Sequence, residues 1–375
     1  MSKSPSKQTG ALSVRAADSL TEVFLADSRF QLIASGIGRA EAAVAPGLYK
    51  ARFRVGQVQT DSLIEVASGA RSQIFDGPPV QFASPAPLAQ TLTWREEHGA
   101  AAQELSRAKH APFKTGSGSQ LFLCLRGLSD EAARPWLGVS LHDIHGELLA
   151  EAAHGICAAE SRFCALHLEL DPGLYRLRVE DEPGEVYEIF VQTLAGWQTQ
   201  VFAVAEQSWQ PGVDAVRAAL PEAAVLMAEI GKGFDPASPA ARQTELLRLG
   251  LLHGRKILTE PGLKSLLAAQ PLNPMNVLYA AHLIQKPDES GLTELLASHL
   301  DKNLRELPDI HAVLIDAGSR KRPSVFALPP LFSKGWQLLM EGADKEKAVI
   351  TPGSLSEKIQ GRTLNSSLWL LHQLR

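Results

Sequence analysis

Between residues 49 and 55 apolar and charged side chains alternate strictly. Tyr49, Ala51, Phe53 and Val55 fall on one side, Lys50, Arg52 and Arg54 on the other. A period of two describes an antiparallel strand with one buried and one wet face. The preceding Pro46-Gly47 predicts a type II turn, in which proline presets the first central φ and glycine takes the positive second one. A partner strand is expected over residues 62–67. Farther along, Asp171-Pro-Gly-Leu-Tyr-Arg-Leu-Arg-Val179 repeats the grammar, with Tyr175, Leu177 and Val179 set against Arg176 and Arg178. Its partner strand is expected over residues 187–192. Glu65 and Glu188 are then placed on the wet faces near the arginine rows, where a cross-strand pair contributes roughly 0.2–1 kcal/mol.

The alternation belongs to a longer internal repeat. Ala11-Leu-Ser-Val-Arg-Ala-Ala17, Glu22-Val-Phe-Leu-Ala-Asp27, Ala45-Pro-Gly-Leu-Tyr-Lys-Ala-Arg-Phe53 and Ser68-Gly-Ala-Arg-Ser-Gln-Ile-Phe75 follow one another. The same order recurs as Gln120-Leu-Phe-Leu-Cys-Leu-Arg126, Gly138-Val-Ser-Leu-His-Asp143, the Pro172-Gly-Leu-Tyr block and Ala195-Gly-Trp-Gln-Thr-Gln-Val-Phe202. Four matched blocks in one order imply duplication. The turn-plus-strand pattern Pro-Gly-Leu-Tyr-x-x-Arg resembles the small sandwich modules of the PEGA and carboxypeptidase regulatory-like group, over residues 11–82 and 119–204. Neither copy contains a literal Pro-Glu-Gly-Ala string. The resemblance implies an accessory or binding role.

Residues 83–118 read as a linker: a proline break, a helix-favouring stretch over 88–109, then a Gly/Ser run. Past residue 207 the period changes to 3.6. Helices are expected over residues 213–231, 239–258, 277–285 (capped by Asn273 or Asn276), 291–304, from Pro329-Pro330 to Met340, and over 364–374. Residues 310–316 form a strand or a helix, because short apolar runs carry no decisive period. The predicted architecture is a multidomain β + α chain. A tail over 1–10 leads into a β-sandwich module over 11–82, the linker, a second antiparallel module over 119–206, and a mostly α-helical domain over 207–375.

Composition agrees with folded domains: 375 residues, 45% apolar, 21% charged and a net charge of −4. That balance offers no general attraction for nucleic acid, and the basic run Arg320-Lys-Arg322 reads as a solvated loop or a partner contact. No window reaches the length of a membrane span, and Met1 to Gly10 is polar without an apolar h-region, so no signal peptide is expected. Cys124, Cys157 and Cys164 are too few for a disulfide framework; unbridged thiols and a cytoplasmic location are expected. His142, His145, His154, Cys157 and Cys164 lack the spacing of a zinc site, and Gly36-Ile-Gly38 and Gly231-Lys-Gly233 are too short to cradle phosphate. No hydrolase elbow, metalloprotease or nucleotide motif occurs. No catalytic, cofactor-binding or metal residue is assigned.

Charge is uneven between the copies: seven basic and seven acidic residues over 11–82, five basic and fourteen acidic over 119–206. Glu180, Asp181, Glu182 and Glu185 crowd one hairpin tip around Pro183-Gly184. They read either as a solubilising loop or as an electrostatic docking site for a basic partner. The function expected is a non-catalytic intracellular adaptor or scaffold that binds other proteins, with a bacterial multi-component assembly as its setting by analogy. The alternatives are a subunit that recognises a glycan or peptide, and an enzyme with its site in the helical part.

Overall fold

The computed structural model describes residues 9–69, 71–107, 113–129, 134–182, 185–207, 216–284, 290–317, 323–364 and 367–374. The first unit is built from β1 (Gly10–Arg15), β2 (Glu22–Ala26), β3 (Leu32–Ile37), β4 (Arg39–Val44), β5 (Gly47–Val55), β6 (Val58–Val66) and β7 (Ser72–Asp76). β1 lies antiparallel to β4 and parallel to β7 in one sheet; β3-β2-β5-β6 form a second, antiparallel sheet. The alternation along β5 sorts as expected. Ala51, Phe53 and Val55 are buried in the apolar core that Leu12 and Val14 of the other sheet share.

The second unit follows the helix α1 (Glu96–Ser106) and comprises β8 (Phe113–Lys114), β9 (Ser119–Gly127), β10 (Val139–His142), β11 (Leu148–Glu151), β12 (Ile156–Ala158), β13 (Phe163–Leu170), β14 (Gly173–Glu182), β15 (Glu185–Thr193) and β16 (Trp197–Gln207). β9 is antiparallel to β13 and parallel to β16, and β11-β10-β14-β15 run antiparallel. Strand order and direction therefore repeat those of the first unit. The tyrosines repeat too: the Tyr49 hydroxyl donates to the Ala45 carbonyl at 2.6 Å and that of Tyr175 to the Asp171 carbonyl at 2.8 Å. Each ties its strand to the corner four residues upstream. These bonds accompany a corner that is not the expected type II turn. Gly47 has a φ of 153°, far from the value such a turn needs, and both glycines already begin their strands.

The second unit is larger than its counterpart. β17 (Val216–Ala218) and β18 (Ala224–Glu229) pair with β16, where a helix over 213–231 was expected. Ala224-Val-Leu-Met is an uninterrupted apolar run that suits a strand covered on both faces, and an open β16 flank offers its backbone partners. Helix α1 occupies the middle of the linker and packs over β9 and β13. His98 contacts the Ser161 carbonyl at 2.6 Å, and Ala102 belongs to an apolar cluster with Phe122, Phe163 and Phe202. Sheet residues of β9 are consequently buried on both sides.

The remaining elements are α2 (Pro239–Leu252), α3 (Glu260–Leu267), α4 (Pro274–Leu283), α5 (Ser290–His299), α6 (Lys302–Arg305), α7 (Pro308–Asp316), β19 (Ser324–Phe326), α8 (Ser333–Asp344), β20 (Ala348–Ile350), α9 (Leu355–Ile359), β21 (Thr363–Leu364) and β22 (Leu371–Leu374). Asn273 caps α4 by accepting from the Met275 and Asn276 amides, as its Asn-Pro sequence predicts. The chain is thus a mixed β + α fold, with most described helices toward its C-terminal end. α2 joins the units: Arg242 bonds Asp18 at 2.8 Å and the Val80 carbonyl at 3.0 Å, while the buried Glu245 accepts from the Ser84 hydroxyl at 2.7 Å and pairs with Arg248.

The expected helix over 364–374 is instead the strand pair β21 and β22. β22 runs antiparallel along the edge of β15, pairing His372 with Glu188. The chain end therefore returns to a sheet begun some two hundred residues earlier, a contact that no local period encodes.

Candidate interaction face

The outer face of the first unit is assembled by the wet sides of β2, β5 and β6. Arg54 makes two hydrogen bonds of 2.7 Å to Glu22 and holds its guanidinium 4.7 Å from the Phe24 ring centre. Arg52 donates to both Asp61 oxygens, at 2.8 and 3.1 Å, and Lys50 reaches the same carboxylate at 2.7 Å. These partners, the Arg52 hydrogen bond first, hold the Asp61 carboxyl down at about 2. The cations are thereby fixed in a row beside apolar groups that lack cover: Phe30 is 76% exposed, Leu63 68% and Leu32 61%. Phe24, Phe30, Leu32 and the three cations line a shallow concavity of about 390 Å³.

Phe30 sits in a strained backbone position. Its φ is 61°, inside a turn closed by Asp27, whose carboxylate accepts from the Arg29 and Gln31 amides at 2.9 Å. The second unit builds the same turn: Asp143 accepts from the His145 and Glu147 amides at 2.8 Å, and the left-handed residue is Gly146 at φ 95°. A side chain on Gly146 would meet the Arg178 guanidinium at 3.3 Å and that of Arg176 at 3.9 Å. Arg176 donates to the Ile144 carbonyl of that turn at 2.6 Å. Where the second unit closes its turn against arginine, the first places an aromatic ring, 5.7 Å from Lys50. Holding phenylalanine there costs about 1 kcal/mol relative to glycine.

The equivalent face of the second unit is covered. Aligning Tyr49 with Tyr175 places Lys50 with Arg176 and Arg52 with Arg178; strand register then places Asp61 with Glu188 and Leu63 with Phe190. Glu188 was expected on a wet face, yet it is fully buried, between Arg178 on β14 and His372 on β22, 2.7 Å away. Burial pushes its carboxyl up, and His372 and Arg178 pull it further down, so that the net direction is below the usual value. Phe190, 1% exposed, stacks on the His372 ring. Neither β22 nor α9, whose Leu355 and Ile359 line a hollow with Arg176 and His372, was legible from periodicity.

The acidic residues singled out in the sequence occupy the end of the β14–β15 hairpin. Glu182 pairs with Glu185 across residues 183 and 184, which lie outside the described residues, and Glu180 is exposed. The side chains of Asp181, Glu182 and Glu185 also lie outside the described set. The backbone brings the four together, with Leu374 of the chain end opposite Val186 beside them.

Two expectations for the cysteine and histidine group are revised. Cys157 and Cys164 face each other across β12 and β13 and are joined as a disulfide, contrary to the expected free thiols. Direct opposition on neighbouring strands brings the sulfurs together, and the seven-residue spacing did not signal it. His142 is buried in the sheet, with Ser140 at 2.9 Å and the Gly146 carbonyl at 3.0 Å from its two nitrogens. Cys124 is buried and free, its thiol pushed up to about 12 by desolvation. No three His, Cys, Asp or Glu side chains among the described residues converge as a metal ligand set.

A hollow of about 810 Å³ lies between the β14–β16 turns and the helices, with Trp197, His299, Asp301 and Asn303 on its wall. Asp301 caps α6 through the Leu304 amide and His299 contacts the Leu295 carbonyl at 2.9 Å, so both are engaged in helix ends. No described helix is long and apolar enough to cross a membrane.

No protein-family model and no curated protein matches the chain. Among solved structures, a proposed cell adhesion protein from Bacteroides eggerthii DSM 20697 aligns at 10% identity over 60% of this chain and 96% of its own, with a TM-score of 0.15. That score carries no inference about fold or function.

Proposed function

We propose that the chain is a non-catalytic adaptor whose outer face on the first β unit binds another protein. One observation carries this reading. Phe30 is held at a left-handed φ, mostly exposed and above Lys50, at a position where the duplicated unit uses glycine. An aromatic ring held in strained geometry and left mostly exposed, with Lys50 as its ring contact, is accounted for by a contact outside the folded chain. Aromatic and arginine side chains are the types that dominate binding energies at protein interfaces, and Phe24, Phe30, Arg52 and Arg54 supply both. The two pairs of sheets read as tandem sandwich modules similar to the PEGA and carboxypeptidase regulatory-like group, in keeping with a binding role.

A cytoplasmic placement rests on composition alone. The Cys157–Cys164 bond stands against it, because structural disulfides persist chiefly in oxidising compartments.

Replacing Phe30 with the photo-crosslinking analogue p-benzoylphenylalanine tests the face directly. Irradiation in native lysate should give a discrete adduct that is missing when the same analogue replaces Ile156, which is 57% exposed on the second unit. Identical adduct patterns at the two positions would remove the reading.

A further inference from the structure

We propose that the outward edge of β6, over residues 59–63, takes up an extended segment of a partner protein as an added antiparallel strand. The segment carries a basic side chain opposite Asp61 with apolar neighbours on either side. The inference rests on the reading of this face as a docking surface, and adds the form and chemistry of what docks.

In both units the hairpin that follows the tyrosine ends in a strand at the same place in the sheet, β6 in the first and β15 in the second. In the second unit that edge is filled, because β22 pairs with residues 186–189. By register these correspond to residues 59–62 of β6, which terminates its sheet among the described residues. The two-residue turn between Val55 and Val58 directs the amides and carbonyls of residues 58, 60, 62 and 64 toward β5. Those of residues 59, 61 and 63 point away from the sheet. At the far end the two edges are blocked alike: the Gln73 side chain donates to the Glu65 carbonyl, and the Thr199 hydroxyl to that of Gln192. The open stretch of β6 thus matches the stretch of β15 that accepts a strand.

The side chains match as well. Glu188 has two arginines on its own sheet and takes His372 as a third basic neighbour from the added strand. Asp61 has the corresponding Arg52 and Lys50, and its side chain remains 36% exposed. Phe190 is covered by the His372 ring, while Leu63 has no such cover at 68% exposure. Leu174 is 5% exposed and its counterpart Leu48 is 50% exposed. Glu188 and Phe190, the two groups that His372 of the added strand contacts, thus have more exposed counterparts in Asp61 and Leu63. Exposed edges of this kind pair readily with extended chains, backbone bonds providing affinity and alternate side chains specificity.

The probe is a fluorescent peptide with the sequence of residues 367–375, Ser-Leu-Trp-Leu-Leu-His-Gln-Leu-Arg, titrated into the full chain. Binding should protect the amides of Gln59, Asp61 and Leu63 from hydrogen exchange. Asp61→Lys should weaken it about ten-fold, and the milder Asp61→Asn should act in the same direction. Methylating alternate backbone nitrogens of the peptide should abolish binding. Protection confined to residues 186–189 would mean that the peptide only replaces β22, and would overturn the proposal. So would binding insensitive to backbone methylation, or association of two copies through β6 without peptide. If the peptide fails while the Phe30 crosslink persists, strand addition is wrong and the docking face stands.

Discussion

The rings of Phe190 and His372 lie face to face, 5.3 Å between centroids and 9° from parallel. One belongs to the duplicated hairpin and the other to the last strand of the chain. The same histidine also meets Glu188, so one side chain supplies both a stacking surface and a polar partner for the carboxylate. His372→Ala should therefore destabilise the chain by about 2–3 kcal/mol in urea unfolding, because a buried carboxylate would lose one of its partners. A loss below about 0.5 kcal/mol would show that Arg176 and Arg178 satisfy Glu188 without the histidine.

Phe30→Gly is expected to move stability and binding in opposite directions. Relief of the left-handed backbone should raise unfolding free energy by about 1 kcal/mol. Partner capture on the same face should fall. A variant that is less stable than the parent would mean that the ring packs usefully in the free chain.

Acid sensitivity should begin near neutrality. Burial lowers the pKa of His98 and of His167 below their usual 6.5, so the unfolded chain binds their protons more readily than the folded one. The stability they contribute is present above pH 6.5 and is lost as pH falls below it. Melting temperature measured from pH 8 to pH 5 should decline over that window, and less steeply in His167→Gln. Parallel curves for the two proteins would refute a titrating role for His167.

The Cys157–Cys164 bridge closes a short loop, with a sequence separation of seven. Chain entropy gives such a closure about 2 kcal/mol. Reduction should lower the unfolding midpoint accordingly, and Cys157→Ser should reproduce the effect without reductant. Equal midpoints with and without reductant would show that the bond contributes nothing to folding.

Changing Glu180, Asp181, Glu182 and Glu185 together to Ser or Gln should leave the melting temperature in place. Association with a basic partner should slow, and the parent rate should fall with salt, since exposed charges are screened over about 8 Å at physiological ionic strength. Unchanged association at low salt would reduce the cluster to a solubilising tip.

The duplication was legible because local rules write it into the chain. Alternation along residues 49–55, the paired Pro-Gly-Leu-Tyr blocks and the Asn273 cap each depend on neighbours a few positions away. Local patterning therefore specifies two β units, the inward and outward sides of β5, and a change to helices farther on. Tertiary structure decided what touches those sides. Leu371-His-Gln-Leu374 has no period that separates strand from helix, and it becomes a strand because β15 presents unpaired backbone groups along its length. Glu65, expected beside the arginine row, falls opposite Leu48, and register sets Asp61 opposite Arg52 as it sets Glu188 opposite Arg178, so that Glu188 and Asp61 are the equivalent pair. One is buried and the other exposed because the chain end reaches only the second unit. The difference between a covered edge and an open one depends on long-range docking, which local patterning does not encode.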